Sequence, residues 1–426
     1  MAKTEKSEKE NTIRAKSEKL KSDKEKSERD SQSQKKRPSI LDKGRARSLK
    51  VRKDEILIIS GEHSGDLLGA DVVHYLKRLG YENFFGTGGM SMQKEGVDLL
   101  ASVDSMAVMG FVEALKAYKR LKQLALSIVD EAVKRKTSLA VLIDYPGFNL
   151  RIAAMLKEKG IPVIFLVSPQ IWAWKYGRIE SIRKNIDLML VLFTFEKEIY
   201  DREKIPCKLI GHPLVKRLPI QLRNEERLHV KGKPVIALLP GSRPGEIKKL
   251  LPVMIASARL IKESFPHATF VIPNINKDSE GFIISLIEKN ADLSLVYAFG
   301  QSLRAMEASE LVILSSGTAT LETTLMNKPM IIVYKVGWIN FFLAGILMRC
   351  RYVGLVNLLS RKQAALELLQ TEATPENIFH ETKRILSDSS YRKSILEELD
   401  FVSRQLGKGN PALNAAKAIQ EFLTVK

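Results

Sequence analysis

Asp144 stands where a general base would. It ends the apolar run AVLID and precedes Tyr145-Pro146-Gly147. A carboxylate at the C-terminal end of a buried strand can take a proton from a substrate hydroxyl. It can equally cap the turn before the proline. Three glycine-containing turns carry further candidates. Gly61 opens GEHSGD (61–66) directly after the run EILIIS. A glycine there lets backbone approach a ligand, and the N-terminus of the next helix favours an anion. Ser64 and Asp66 in the same string also suit helix capping. In LLPGSRPGEI (238–247), Gly241 and Ser242 offer backbone and hydroxyl donors. Arg243 adds a planar, permanently charged fork that suits phosphate, or serves as a solvated arginine at a helix entry. No Gly-Lys-Ser/Thr follows, so this is not a Walker A loop. In SSGTATLE (315–322), Ser316, Gly317 and Thr318 could hold phosphate oxygens at a helix N-terminus. Glu322, one turn in, could accept hydrogen bonds from ribose hydroxyls or merely complement the helix dipole. Two phosphate-suited turns in one half of the chain favour a nucleotide. Trp172 and Trp174, in VSPQIWAWK (167–175), offer faces for a sugar or an acyl chain, or fill a core.

These residues need elements to place them. Short apolar runs occur at Glu55–Ser60, Leu139–Ile143, Val163–Val167, Leu188–Leu192 and Leu209–Ile210, with helical patterns such as 64–79, 149–159 and 195–203 between them. The rhythm breaks over 212–233, which holds Pro213, Pro219 and a polar run, and reads as a linker. It restarts with strand candidates Val235–Leu239, Thr269–Pro273, Leu293–Val296, Leu311–Leu314 and Met330–Tyr334, separated by helices such as 247–264 and 320–326. Strands alternating with helices imply an α/β fold with parallel sheets. Two such lobes in succession imply a ligand cleft at the strand-to-helix turns, where the candidates sit.

Composition narrows the class. The 426 residues suffice for two lobes, and the formal net charge is +19. Residues 1–53 hold 19 Lys or Arg against 9 Asp or Glu and almost no large apolar residue. They read as a disordered basic tail, either merely solvated or contacting anionic lipid or RNA. Cys207 and Cys350 are too few and too far apart for a disulfide framework. No run approaches the roughly 20 apolar residues of a membrane span, and no secretory signal precedes the tail. The chain contains no Asp-x-Asp pair and no metal-ligand cluster. Phosphate neutralisation therefore falls to Arg243, Lys335 and helix ends, and the chemistry is expected to need neither metal nor cofactor. Recognisable RNA-binding platforms are lacking, so no nucleic-acid partner is expected.

Taken in order, ten strings resemble the lipid-A-disaccharide synthase family over residues 54–423: GEHSGDLLGA, GGMSMQKEG, MAVMGFVEAL, IDYPGFN, VSPQIWAWKYGRI, FEKEIY, GHPL, LLPGSRPGEI, SSGTATLE and NLLS. The resemblance implies a GT-B architecture, two Rossmann-like doubly wound domains facing across a cleft. The implied division is a basic tail (1–53), an acceptor-side domain (54–212), a UDP-sugar-binding domain (213–410) and a C-terminal helix (411–426) crossing back to the first. It implies an inverting transfer from UDP-2,3-diacylglucosamine to 2,3-diacylglucosamine 1-phosphate, giving a β-1,6 disaccharide 1-phosphate and UDP. Asp144 matches the family's catalytic aspartate and Arg243 its Pro-Gly-Ser-Arg arginine. Asn357 matches a functional asparagine expected near the donor, in the company of Gly61, Gly241, Ser242, Ser316, Gly317, Thr318 and Glu322.

Acylated substrates imply work at the cytoplasmic face of the inner membrane by a peripherally bound cytoplasmic protein. Met106–Leu124 sets Met109 and Phe111 among apolar residues beside Lys116, Lys119 and Arg120, which suits an anionic interface or an ordinary packed helix. Trp338–Met348 is a second such stretch, and Trp172 and Trp174 are further acceptor-side or membrane contacts. The chain departs from the family at Gly147, where a second acidic residue is usual, in the 360–370 loop, and in its tail. Other readings are a different UDP-sugar enzyme of the same architecture, an N-acetylglucosaminyltransferase or an epimerase, and a non-catalytic nucleotide- or RNA-binding protein.

Overall fold

Apolar runs flanked by amphipathic helices fold here into two all-parallel sheets. The computed structural model describes residues 52–106, 111–173, 175–315, 317–335, 352–360 and 362–425, with backbone alone at 52, 53 and 111–118. Residues 51–426 form one compact unit. Expectations for the tail up to residue 51, for Met109, Trp174 and Ser316, for the Phe111 side chain and for Trp338–Met348 fall outside the described residues.

The first sheet runs β3-β2-β1-β4-β5-β6-β7. Its strands are β1 (Arg52–Ser60), β2 (Tyr81–Gly88), β3 (Asp98–Ser102), β4 (Leu139–Ile143), β5 (Val163–Leu166), β6 (Leu188–Val191) and β7 (Cys207–Leu209). The second runs β10-β9-β8-β11-β12-β13. It comprises β8 (Val235–Leu239), β9 (Thr269–Asn274), β10 (Leu295–Phe299), β11 (Leu311–Leu314), β12 (Met330–Tyr334) and β13 (Leu366–Leu369). The helices used below are α1 (His63–Arg78), α2 (Phe111–Lys134), α3 (Pro146–Glu158), α4 (Thr194–Arg202), α5 (Leu214–Asn224), α6 (Pro244–Ser264), α7 (Thr318–Leu325), α8 (Leu355–Leu359) and α9 (Pro411–Val425).

The inner strands carry near-continuous apolar runs because helices cover both faces. In β1, Ile56 and Ile58 join one buried cluster while Leu57 and Ile59 join the cluster on the opposite face, the alternation a strand imposes. The C-terminal half of α2 packs on that second cluster through Ala125, Ile128, Val129 and Ala132. Among the described residues, no helix is long and apolar enough to cross a membrane.

Strands 139–143, 235–239, 311–314 and 330–334 coincide with the expectation. Others differ. β1 begins at Arg52, inside the stretch read as tail. The run expected at 209–210 is β7 at Cys207–Leu209, and the one expected at 293–296 is β10 at Leu295–Phe299. β2, β3 and β13 escaped notice for a common reason. YENFFGTG is broken by glycines and polar residues, DLLAS alternates on an edge, and LELL is four residues around a buried glutamate.

Residues read as a linker contain helix α5, which binds both halves of the chain. Lys216 Nζ donates to the Tyr75 hydroxyl at 3.3 Å and Arg217 pairs with Asp71 at 3.0 Å, both on α1. At the other end the buried Arg304 guanidinium donates to the carbonyls of Leu222 and Glu225. Helix α9 returns to the first sheet's helices and packs on α1. Asn414 donates to the Ile210 carbonyl at 3.0 Å and Lys208 pairs with Glu421.

Candidate active site

Asp144 follows β4 directly, and its backbone N–H donates to the Leu166 carbonyl at 2.8 Å. Asp144 and Tyr145 both sit in the left-handed region, with φ of 48° and 47°. That conformation is costly for side chains with a Cβ and persists only where surroundings enforce it. Here Asn149, fully buried in α3, donates to the carbonyls of Ile143 at 3.1 Å and Asp144 at 2.7 Å. The Tyr145 hydroxyl donates to the Met106 carbonyl at 3.1 Å. The Tyr145 ring lies against Gly61, where a Cβ would come within 2.3 Å of it. Gly61 therefore serves the Asp144 turn by giving this ring room.

The Asp144 carboxyl is raised to about 6, chiefly by burial and then by the Glu62 carboxylate, against one opposing backbone hydrogen bond at Tyr145. Such a group is still mostly ionised at neutral pH and accepts a proton more readily than an ordinary carboxylate. Gly147, at the start of α3, is exposed, and a Cβ there would meet nothing within 4 Å.

Behind Asp144 lies Glu196, in the first turn of α4. It is buried and accepts from the backbone N–H groups of Leu192 and Phe193, both at 3.2 Å. Burial raises its carboxyl to about 7; those N–H groups and the Trp172 indole oppose the shift, and the Asp144 charge adds to it. Trp172 is half-buried and meets Phe195 edge-on at 5.3 Å. Phe195 stacks on Phe193, and Phe193 on His212. Burial, then Arg217, pushes the His212 imidazolium down to about 4, so the ring is neutral at pH 7. Sequence reasoning quoted the string FEKEIY but assigned Glu196 no role. Its signal was a glutamate at the third position of the helix that follows an apolar run, the position that reaches back to cap a helix.

The expected donor residues of the second sheet converge. Gly241, Ser242, Arg243, Gly317, Thr318 and Glu322 all line one cavity of about 660 Å3, together with Asn274, Gly300, Glu225 and Tyr334. The turn after β8 requires glycine at 241: its φ is 111°, and a Cβ would meet Glu246 Oε2 at 2.4 Å. Arg243 is 82% exposed and stands 3.7 Å from Glu246, so its guanidinium is largely available to a ligand. At Gly317 a Cβ would meet open space. Glu322 is half-buried in the lining and its carboxyl is raised by burial. Lys335 follows Tyr334 but does not line the cavity.

Two expected donor residues lie elsewhere. Gly61 belongs to the first sheet, beside Tyr145. Asn357 is buried in α8 with its amide already engaged. It donates to the Ala365 carbonyl at 2.7 Å and Glu367 Oε1 at 2.8 Å, and accepts from the Ala365 N–H at 2.9 Å. Glu367 also accepts from the backbone of Val353 and Gly354. Asn357 thus bolts α8, which packs on α7, to β13. Asn274, Gly300 and Glu225 were missed, although Asn274 and Gly300 follow the rule that ligands meet the C-terminal ends of parallel strands. Among the described residues, no group of three or more His, Cys, Asp or Glu is placed to hold a metal ion.

With the geometry established, comparison with known proteins is informative. A family model described as Lipid-A-disaccharide synthetase matches residues 56–419. A lipid-A-disaccharide synthase from Coxiella burnetii (strain RSA 331 / Henzerling II) is 39% identical over 380 residues, covering 86% of this chain and 98% of that protein. One from Myxococcus xanthus (strain DK1622) is 35% identical over 373 residues, with coverages of 86% and 97%. Among solved structures, a putative UDP-N-acetylglucosamine 2-epimerase from Listeria monocytogenes superposes with a TM-score of 0.59 at 13% identity, covering 88% of this chain and 98% of that one. Acinetobacter baumannii MurG does so with 0.55 at 14%, covering 87% and 100%. At these identities the structural likeness speaks for the two-lobed GT-B fold alone.

Proposed function

The chain belongs to the lipid-A-disaccharide synthase family and is a glycosyltransferase, and on that premise we propose that it joins UDP-2,3-diacylglucosamine to 2,3-diacylglucosamine 1-phosphate through the Asp144 carboxylate. The acceptor 6-hydroxyl attacks the anomeric carbon from the face opposite the phosphate. As the new C–O bond forms, the bond to the diphosphate breaks and UDP leaves with the electron pair. The hydroxyl proton passes to Asp144. One displacement inverts the α-glycoside to a β-1,6 link.

The observation that carries this reading is the Asp144 carboxyl itself, held up to about 6 at a turn in the left-handed region. The lobe of residues 54–212 takes the acceptor, and the cavity of the 213–410 lobe takes UDP. There Arg243, the Ser242 turn and the turn of Gly317 and Thr318 stabilise the charge that grows on the leaving diphosphate, with Ser316 as a further donor to it. Glu322 receives the ribose hydroxyls. No metal takes part. Asn357 supports the donor cavity from behind through Glu367. The enzyme works from the cytoplasm, bound peripherally at the inner-membrane surface through the apolar and basic stretch around Met109 and Phe111.

The test is direct. The full chain is incubated with both acyl-sugars in detergent with EDTA, and UDP and the disaccharide 1-phosphate are quantified. Equal amounts of the two products, undiminished by EDTA, are expected. UDP release without disaccharide, or dependence on added metal, would contradict the reading.

A further inference from the structure

The cavity wall contains a bracket that the reaction itself does not require. Asn274, the last residue of β9, is 3% exposed and folds the next residues back on themselves. Its Oδ1 accepts from the Asn276 N–H at 2.9 Å, and its Nδ2 donates to the Asn276 carbonyl at 2.8 Å and to the Tyr297 hydroxyl at 3.2 Å. Tyr297 in turn donates to Glu280 at 3.1 Å. The effect is to hold Asn276 rigidly beside the turn after β8. Asn276 Nδ2 then donates to the Ser242 carbonyl at 3.2 Å, while its Oδ1 accepts from the Asp278 N–H at 2.9 Å.

We infer that Asn276 is a positioning residue for the donor's diphosphate: it fixes the Ser242 carbonyl and thereby the turn that presents Ser242 and Arg243 to the cavity. The inference rests on the reading of that cavity as the UDP site. Asn276 itself does not line the cavity, so it acts only through Ser242. The residue type follows from its two partners. A carbonyl only accepts and an amide N–H only donates, so the side chain between them must do both from fixed positions. An aspartate satisfies Asp278 but cannot donate to Ser242. The turn needs an external hold because Gly241, at φ 111°, gives it conformational freedom.

UDP and uridine affinities separate this role from a general one. Both are titrated calorimetrically into the full chain as wild type, Asn276→Ala and Asn276→Asp, at 0.1 M and 0.5 M NaCl. Losing one such hydrogen bond is expected to weaken UDP about five- to tenfold in both variants. Uridine, which lacks the phosphates, binds as in the wild type. The loss in Asn276→Asp persists at 0.5 M NaCl, where mere repulsion by its new surface charge is screened, and the neutral Asn276→Ala shows the same loss at either salt concentration. Unchanged UDP affinity in Asn276→Ala would overturn the inference, as would an equal loss for uridine. Failure of the wild type to bind UDP would overturn the donor-site reading itself.

Discussion

Asp66 and Asp144 follow the C-terminal ends of the adjacent strands β1 and β4, Asp66 in the first turn of α1 and Asp144 directly after β4, yet their carboxyls have opposite fates. Asp66 is buried and accepts three backbone N–H groups, from Gly89 at 2.7 Å, Ser91 at 3.1 Å and Met92 at 3.0 Å. Burial pushes its carboxyl up, but those donors outweigh it and hold the group below the ordinary range. Asp144 receives one backbone hydrogen bond and faces another carboxylate, so burial prevails and the group rises to about 6. Burial alone therefore does not make a base. The number of donors decides whether a buried carboxylate is an anchor or a proton acceptor. Asp66 ties the turn before Met90–Lys94 to α1, while Asp144 is left under-solvated with a strained backbone.

Exchanging either carboxylate for its amide tests that contrast, and Asp144→Asn has the larger effect. It should lower kcat by roughly 10²–10⁴-fold, the usual worth of a positioned base, with UDP affinity unchanged. It should also stabilise the fold at pH 8, by up to about 3 kcal/mol, because the raised carboxyl destabilises the wild type once ionised. The advantage grows as pH rises from about 4 through 6 and is absent below, as urea unfolding at several pH values will show.

Asp66→Asn should do the reverse. We expect a loss of about 1–3 kcal/mol at pH 7, since one of three buried donors loses its acceptor. A lowered carboxyl stabilises above its unfolded value and ceases to do so as pH falls through the folded one, so the difference from wild type should shrink below about pH 4. Activity of the protein that remains folded should be little altered. Glu62→Gln removes the carboxylate facing Asp144, and the acid limb of kcat/KM should move to lower pH. Gly147→Asp, which has room for its side chain, adds a charge near Asp144 and should move that limb slightly upward.

The sequence disclosed the Asp144 turn and the two turns of the second lobe because each pairs a glycine or proline with a buried-strand run. Those local signals survive folding: six expected donor residues line one cavity. What stayed hidden depends on distant partners. Nothing in GEHSGD tells that Gly61 yields to a tyrosine 84 residues later, or that Asp66 caps a turn beyond β2 rather than its own helix. Asn357 is expected near the donor on the family resemblance alone, and the string NLLS carries no mark of its partner. Glu367, ten residues on in an edge strand, consumes its amide. Helix α5 was hidden by Pro219, which the helix accommodates between its two anchorages.

The account turns on Asp144 as the group whose ionisation switches on transfer, and the pH dependence of kcat/KM tests this most directly. With acyl-sugars far below saturation, where the rate reports kcat/KM and hence the free enzyme, the wild type should lose activity on the acid side with a midpoint near 6. The residual rate of Asp144→Asn should show no such limb. If the same acid limb persists in Asp144→Asn, another group is the base and the central claim is wrong.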